Sequence, residues 1–482
     1  MIEEGSAEQG QLTAPSNEAA RPAKVTFLTV LGNPGFRNLW LGQIISQMGD
    51  YFAFLALLVV ISGFASSTAD TTRDVSGIMI AVTLPRLLFG VLAGVFVDRW
   101  DRRLTMIASD FTRAVIVLAL IPAFLSRSTL LIYVLAFLLS SAGTFFNPAK
   151  GALIPRLVPQ GQLTSANALS QTSQMLATLI GPALAGLTFA MAGEGNQWIA
   201  FLIDAVSFFV SGVAVWSITA YAGAVPTVQA LASTSARSAL RRVLDELVVG
   251  LRALLLSRTM AAISGIVAIT WLGIGAINVL WIVFLKTSFG YQSVELAWRI
   301  SLIDIVFSAG MVGISIAIGN FLSHIAPKWL VTWGLVGTGL ITAVVGFLPN
   351  YWAVVAAMLL VGAFVAPIGT GTNTLMQIVV RNEQLGRVGG GVNTIADAAG
   401  LLSMSLAGVL GVLLGIPVVF FLGGLLCAMA GVCAWLTLPA FTPSEIPAVD
   451  KNKGNQQEAK NRPAASGALA TTGEGHVSEP VG

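Results

Sequence analysis

Seven ionisable side chains interrupt otherwise apolar stretches of this chain: Asp50, Arg86, Asp110, Arg113, Asp204, Asp304 and Asp397. Charge is costly in hydrocarbon, so such residues carry protons, ions or substrates, or they pair with one another. Asp50 is the most informative of them. It follows Gln43 and Gln47 at spacings i, i+4, i+7, which put all three on one face of a helix. A carboxyl on a polar stripe at mid-membrane depth is suited to load and release a proton. The competing role is a structural ion pair with Arg86, which lies at similar depth in the next apolar stretch, beside Pro85. Asp110 and Arg113, spaced i, i+3, are placed to satisfy each other. Asp204, Asp304 and Asp397 are further candidates for coupling to a cation or holding a cationic substrate; the structural alternative is capping or hydrogen bonding to neighbouring Ser and Asn. We assign Asp50, Asp304 and Asp397 to proton coupling, and Gln43, Gln47, Arg86 and Asp204 to the wall of a substrate cavity.

Other chemistries are excluded by the residues present. His324 and His476 cannot build a metal site, and Cys427 and Cys433, six apart on one helix, face different sides, so neither a metal nor a disulfide is expected. An intramembrane enzyme needs clustered catalytic groups at membrane depth, which this sequence does not supply. There is no Gly-x-x-x-x-Gly-Lys-[Ser/Thr] run, hence no built-in ATPase motor, and none is implied as a subunit. No basic arm or basic domain points to nucleic acid. No cofactor is called for.

The elements that must hold these charges follow from hydropathy. The 482 residues are 55% hydrophobic and 10% charged, against about 25% charged in a soluble globular chain. A bilayer core of about 30 Å takes about 20 apolar residues per helix. With that ruler the chain divides into twelve segments: 38–63, 76–98, 104–126, 129–149, 166–191, 197–219, 259–285, 294–319, 329–348, 352–376, 390–413 and 416–438. The expected fold is an all-α membrane protein of twelve transmembrane helices in two pseudo-symmetric six-helix bundles. Residues 36–219 form the first bundle and 259–440 the second. Residues 1–35 and 441–482 read as disordered tails, with no cleavable signal peptide before the first segment. Between the bundles, 220–258 ends in an amphipathic helix with Leu240, Leu244, Leu247, Leu251 and Leu254 on one stripe, suited to lie on the membrane face.

Charge placement sets the sidedness. With both termini inside, all loop and tail cations but Arg73, Arg127, Lys286 and Arg299 fall on the cytoplasmic side, as the positive-inside rule requires. Trp40, Trp198, Trp329 and Trp352 fall at segment ends, where interfacial aromatics belong. The densest knot is Asp98-Arg99-Trp100-Asp101-Arg102-Arg103, a cytoplasmic turn between the second and third segments. A degenerate copy occurs at 319–329, with Gly319 and Phe321 matching Gly94 and Phe96. Asn147 and Asn167 recur as Asn373 and Asn393 at nearly the same offset. Two agreeing anchors favour a duplicated six-helix unit, which suits a transporter of alternating access.

The loop Gly94-x-x-x-Asp98-Arg99-x-x-Arg102-Arg103 resembles the signature of the major facilitator superfamily. Gly181-Pro182-Ala183-Leu184-Ala185-Gly186 is similar to the glycine-proline motif of its drug/proton antiporters, with Ala185 where a second glycine is usual. The stretches 43–50, Phe145-Phe146-Asn147-Pro148-Ala149, 204–208 and 385–388 look like the branch holding macrolide efflux proteins and the enterobactin exporter. A departure is that 129–146 lacks the arginine many antiporters carry in the fourth helix. The resemblance implies a monomeric multi-pass transporter of the plasma (inner) membrane, exporting small, mostly apolar molecules against protons. The alternative is a lysophospholipid or nutrient transporter of the same fold. It also implies that Gly94, Asp98, Arg99, Arg102 and Arg103 latch the two halves, with Asp98 facing the start of the eleventh helix near Gly389, and that Gly181, Pro182 and Gly186 seal the cytoplasm-facing state. The partners are then the lipid bilayer, a small-molecule substrate and protons.

Overall fold

The structure, a computed structural model, describes residues 27–218, 257–321, 325–380 and 382–441. The amphipathic helix expected within 220–258, the C-terminal tail and His324 lie outside the described residues. A short helix α1 (Phe27–Leu31) precedes the first span, so the tail expected to run to residue 35 is helical from Phe27. The reason is local. Val30 is fully buried, Asn33 Oδ1 accepts from Phe36 N at 3.1 Å, and Pro34 opens the next helix. The first half then comprises α2 (Pro34–Phe64), α3 (Thr68–Arg99), α4 (Arg102–Leu125), α5 (Thr129–Thr144), α6 (Phe146–Leu157), α7 (Leu163–Ala192) and α8 (Trp198–Trp216). The second comprises α9 (Arg258–Phe289), α10 (Ser293–Asn320), α11 (Pro327–Val345), α12 (Tyr351–Val379), α13 (Asn382–Leu414) and α14 (Ile416–Thr437).

Twelve spans result, because α5 and α6 together make the fourth, broken at Phe145. Eleven helices among the described residues are long and apolar enough to cross a membrane. The remaining span, α3, has the length, 32 residues or about 48 Å, but carries Asp70, Arg73, Asp74 and Arg86. Capping fixes the boundaries: Ser67, Asp101, Ser128, Ser257 and Asn350 each accept a backbone N–H at a helix start. Leu130, Met191, Leu413 and Leu436 are each more than two-thirds exposed, a surface made for lipid rather than water.

The apolar core comes in three pieces, and their distribution describes the state of the molecule. At the end of the bundle far from the termini, one cluster joins both halves, from Leu55, Ile61 and Ile78 to Phe284, Ile300 and Phe420. At the terminal end each half keeps its own cluster. Phe36, Met106, Leu153 and Val215 belong to the first half, and Ile263, Leu335, Leu375 and Val392 to the second. The halves are therefore sealed together at the far end and separately cored at the terminal end.

Candidate functional site

A cavity of about 550 Å3 lies in the first half, running from Leu57 and Ala136 to Gly143, Asn147 and Pro148 toward the terminal end. Its wall is mostly apolar, with Phe54 and Tyr51, and is charged at Asp50, Arg86, Arg113 and Asp204. Asp50 comes from α2, Arg113 and Asp110 from α4, and Asp204 from α8, so three helices converge on one charged group. Arg113 Nη2 donates to Asp50 Oδ1 at 2.5 Å, and its guanidinium lies 3.7 Å over the Phe208 ring. Asp110 is fully buried. Its Oδ2 accepts from Ser211 Oγ at 2.7 Å, while its Oδ1 stays 4.0 Å from Arg113 Nη1. Asp204 is also fully buried and accepts from Ser207 Oγ at 3.2 Å. The helices close tightly here, since a Cβ on Gly49 would collide with Ser207 Oγ and come within 2.6 Å of Asp204 Oδ1.

Two expectations are corrected by this geometry. Asp50 pairs with Arg113 and not with Arg86, and Arg113 spends its closest bond on Asp50 rather than on Asp110. Arg86 instead crosses to the second half. Its Nε and Nη2 donate to Asp397 Oδ2 and Oδ1 at 3.0 and 2.7 Å, a bidentate pair between α3 and α13. Asp397 is thus a bound acid. Gln43 and Gln47, expected in the cavity wall, are not among its lining residues: Gln43 is buried, and Gln47 Oε1 is buried with no donor among the described residues. A helical spacing cannot say which neighbour a stripe meets. Asp304, half-buried on α10, has no hydrogen bond or ion pair among the described residues. It lies within electrostatic reach of Tyr51, whose hydroxyl meets Thr178. One turn on, Ser308 Oγ donates to Thr178 O at 3.3 Å across the seam between halves.

The far seal has its own clasp. Lys286, near the end of α9, donates to Ser62 O at 2.5 Å and to Thr71 Oγ1 at 3.3 Å. It holds the last turn of α2, where a cation is favoured, and it does so across the two halves.

Comparison with known proteins places the chain. A family model described as transmembrane secretion effector, a branch of the major facilitator superfamily, matches residues 25–460. The chain belongs to that family. Macrolide efflux protein A of Streptococcus pyogenes is 26% identical over 409 residues, covering 83% of this chain and 95% of the relative. The putative bacilysin exporter BacE of Bacillus subtilis is 31% identical over 178 residues, covering 37% and 42%. Among solved structures, a bacterial homologue of the iron transporter ferroportin in an inward-facing state superposes with a TM-score of 0.62 at 14% identity, covering 86% of this chain and 99% of that one. A D-xylose–proton symporter does so with 0.61 at 13%, covering 83% and 98%. These likenesses establish the major facilitator fold, and the chain is a multi-pass membrane transporter.

The secretion-effector family's motifs can now be placed. In the signature loop, Arg103 donates to Val215 O at 3.2 Å and to Trp216 O, capping the end of α8 within its own half. In this state the free carbonyls at the end of α8 hold Arg103 within its own half, while the latch expected of the loop belongs to the opposite state. Arg102 Nε is buried without an acceptor among the described residues, and a Cβ on Gly94 would meet open space. The side chains of Asp98 and Arg99 lie outside the described residues, as do those at the start of α13 up to Arg387. The glycine-proline motif sits in α7. A Cβ on Gly181 would strike the Tyr51 ring, and one on Gly186 would lie 2.5 Å from Ser301 Cβ on α10, so this motif packs the far part of the seam. Sequence reasoning did not find Tyr51, Phe54 or Ser140 in the wall, nor the Asp50–Arg113 pair; partners 63 residues apart leave no spacing to read.

Proposed function

We propose that the protein exports small, mostly apolar molecules by proton antiport and alternating access, from a bacterial plasma membrane with both termini in the cytoplasm. The observation that carries the reading is the cavity, largely apolar, of a size for a drug-like molecule, and set with a carboxyl at its wall. It lies toward the end where the two halves are separately cored. The positive loops support a cytoplasmic position for that end. The names of the macrolide and bacilysin relatives favour export of antibiotic-like compounds. Substrate enters from the cytoplasmic side and packs on Phe54 and Leu57. Asp50 gives up its proton to the cytoplasm through the open cavity, strengthens its pair with Arg113, and the halves rock to reopen at the far end. Asp304, on the seam, is the second coupling acid. Asp397 serves through its pair with Arg86 in holding the halves together.

The energetics suffice. One proton supplies about 2.3 kcal/mol per 100 mV and about 1.4 kcal/mol per pH unit. Together, about 4 kcal/mol sustains roughly a thousandfold gradient of a neutral solute. In the opposite state the signature loop, with Gly94, Asp98 and Arg99, fastens the halves at the cytoplasmic end. Proteoliposomes test the reading: a panel including macrolides should move against an imposed pH gradient and release protons in step. No substrate-dependent proton movement across the panel would sink it, and counterflow of labelled lysophospholipid instead would point to the lipid reading.

A further inference from the structure

Behind the Asp50–Arg113 pair the first half buries two more carboxyls than it has cations to match. Asp110 and Asp204 are both completely removed from solvent. Each has one oxygen held by a serine hydroxyl, Ser211 for Asp110 and Ser207 for Asp204. The other oxygen of each, Asp110 Oδ1 and Asp204 Oδ2, has no donor among the described residues, and neither has Gln47 Oε1 on the adjoining α2. Two buried carboxyl oxygens without a donor thus face a region with one guanidinium.

No other cation is at hand. Arg113 is committed to Asp50 at 2.5 Å and stands 4.0 Å from Asp110. From α2 comes Asp50, another acid. From α3 comes Arg86, tied to Asp397. In α5 the ionisable side chain is Tyr133, which hydrogen-bonds Asp74. In α6 Lys150 and Arg156 lie beyond the break, toward the terminal end. Helix α7 carries none. An uncompensated carboxylate at this depth costs several kcal/mol, even after relaxation. A proton removes that charge and turns an orphan acceptor into a donor. The site is also walled off. Gly49 presses the α2 backbone onto Asp204, Gly212 lies against Asp110, and the Phe208 ring fills the space under Arg113. Asp204 backs the cavity wall although none of its surface is exposed.

We infer that Asp110 and Asp204 form an occluded proton-binding site between α2, α4 and α8, set behind the half-exposed Asp50, which guards it from the cavity. Asp50 is then the acid that meets substrate, and the inner pair stores the proton. This deepens the antiport reading, yet the occupancy of the site is measurable without transport. The experiment is infrared difference titration of the full-length protein in lipid nanodiscs, followed at the carbonyl stretch of protonated carboxyls, without substrate. At neutral pH the parent should show this band, Asp110→Asn and Asp204→Asn should each lose part of it, and Asp397→Asn should leave it unchanged. Ser211→Ala, which keeps both carboxyls, should shift the band's frequency and controls for misfolding of the Asn variants. A spectrum in which neither Asn variant removes any protonated-carboxyl intensity at any pH would overturn the site, as would a band abolished by sodium at fixed pH, which marks a metal-cation site. Loss of pH-driven export in vesicles with the band intact would instead break the antiport reading and leave the site standing.

Discussion

The tightest helix approaches in the second half, at Gly310 and Gly362, are backbone on backbone; those in the first, at Gly49 and Gly181, are backbone on side chain. A Cβ on Gly339 of α11 would lie 2.5 Å from Gly424 O and strike Ala428 N of α14, and Gly424 meets Gly339 O and Ala343 N in return. Gly362 and Gly310 make similar approaches to the α10 and α12 backbones. In the first half, Gly49 meets Ser207 and Asp204, Gly77 meets Tyr133, and Gly181 meets Tyr51. Side chains can move; main chain in a packed helix pair cannot. The second half is thus a stiff frame, and the first holds the charged group and the cavity. Tight backbone packing thus goes with the half that holds neither the cavity nor the Asp50–Arg113 pair.

The largest effect should come from breaking the frame. Gly339→Leu should cost more than the about 1–3 kcal/mol of ordinary overpacking, because backbone cannot yield, and should abolish a thermal transition of the detergent-solubilised protein. The larger side chain at Gly181, as Gly181→Leu, should cost less, since Tyr51 can swing. Equal losses would erase the contrast between halves. Next comes the chemistry. Asp50→Asn should lower pH-driven export on the order of tenfold or more, about 1.4 kcal/mol in the barrier per tenfold, with substrate counterflow retained; a matching loss from Asp304→Asn alone would move the coupling centre into the frame half. Lys286→Met removes a charged hydrogen bond of about 1.5–3 kcal/mol from the far seal. Cysteines placed at its far mouth should then label faster by a maleimide in intact cells. The smallest effect is at Arg86. Its side chain is 61% exposed, so the pair with Asp397 is worth about 0.2–1 kcal/mol, and Arg86→Gln should change transport less than about fivefold, with the swap Arg86→Asp plus Asp397→Arg restoring it.

The fold was legible in the sequence because hydrocarbon imposes one ruler, and eleven of twelve spans satisfy it by apolar length alone. Helix α3 was found despite its charges because 76–98 is an apolar run that ends at the charged knot; its first turns, from Thr68, were missed because Asp70, Arg73 and Asp74 lie there. The break at Phe145 was missed because the backbone stays near-helical through it, with φ −81° and ψ −19°, and hydropathy does not see a kink. Asp50 stood out as a charge on a polar stripe. Its partner did not, because Arg86 and Arg113 sit at comparable depth and only the packing of α4 against α8 decides between them. The role of Arg103 was hidden for the same reason: Val215 and Trp216 offer carbonyls, which no residue type announces.

The Arg86–Asp397 pair has a consequence for how the molecule is made. The two residues are 311 positions apart, so the ribosome finishes the whole first half and most of the second before the acid exists. Arg113 and Arg103, by contrast, find partners within the first half. The charged groups at Arg113 and Arg103 can therefore mature early, while Arg86 waits for the second half. Until α13 is inserted, Arg86 must reach toward headgroup water along its flexible stem, and its capture by Asp397 adds a late contact between bundles that also meet in the far-end core and at Lys286.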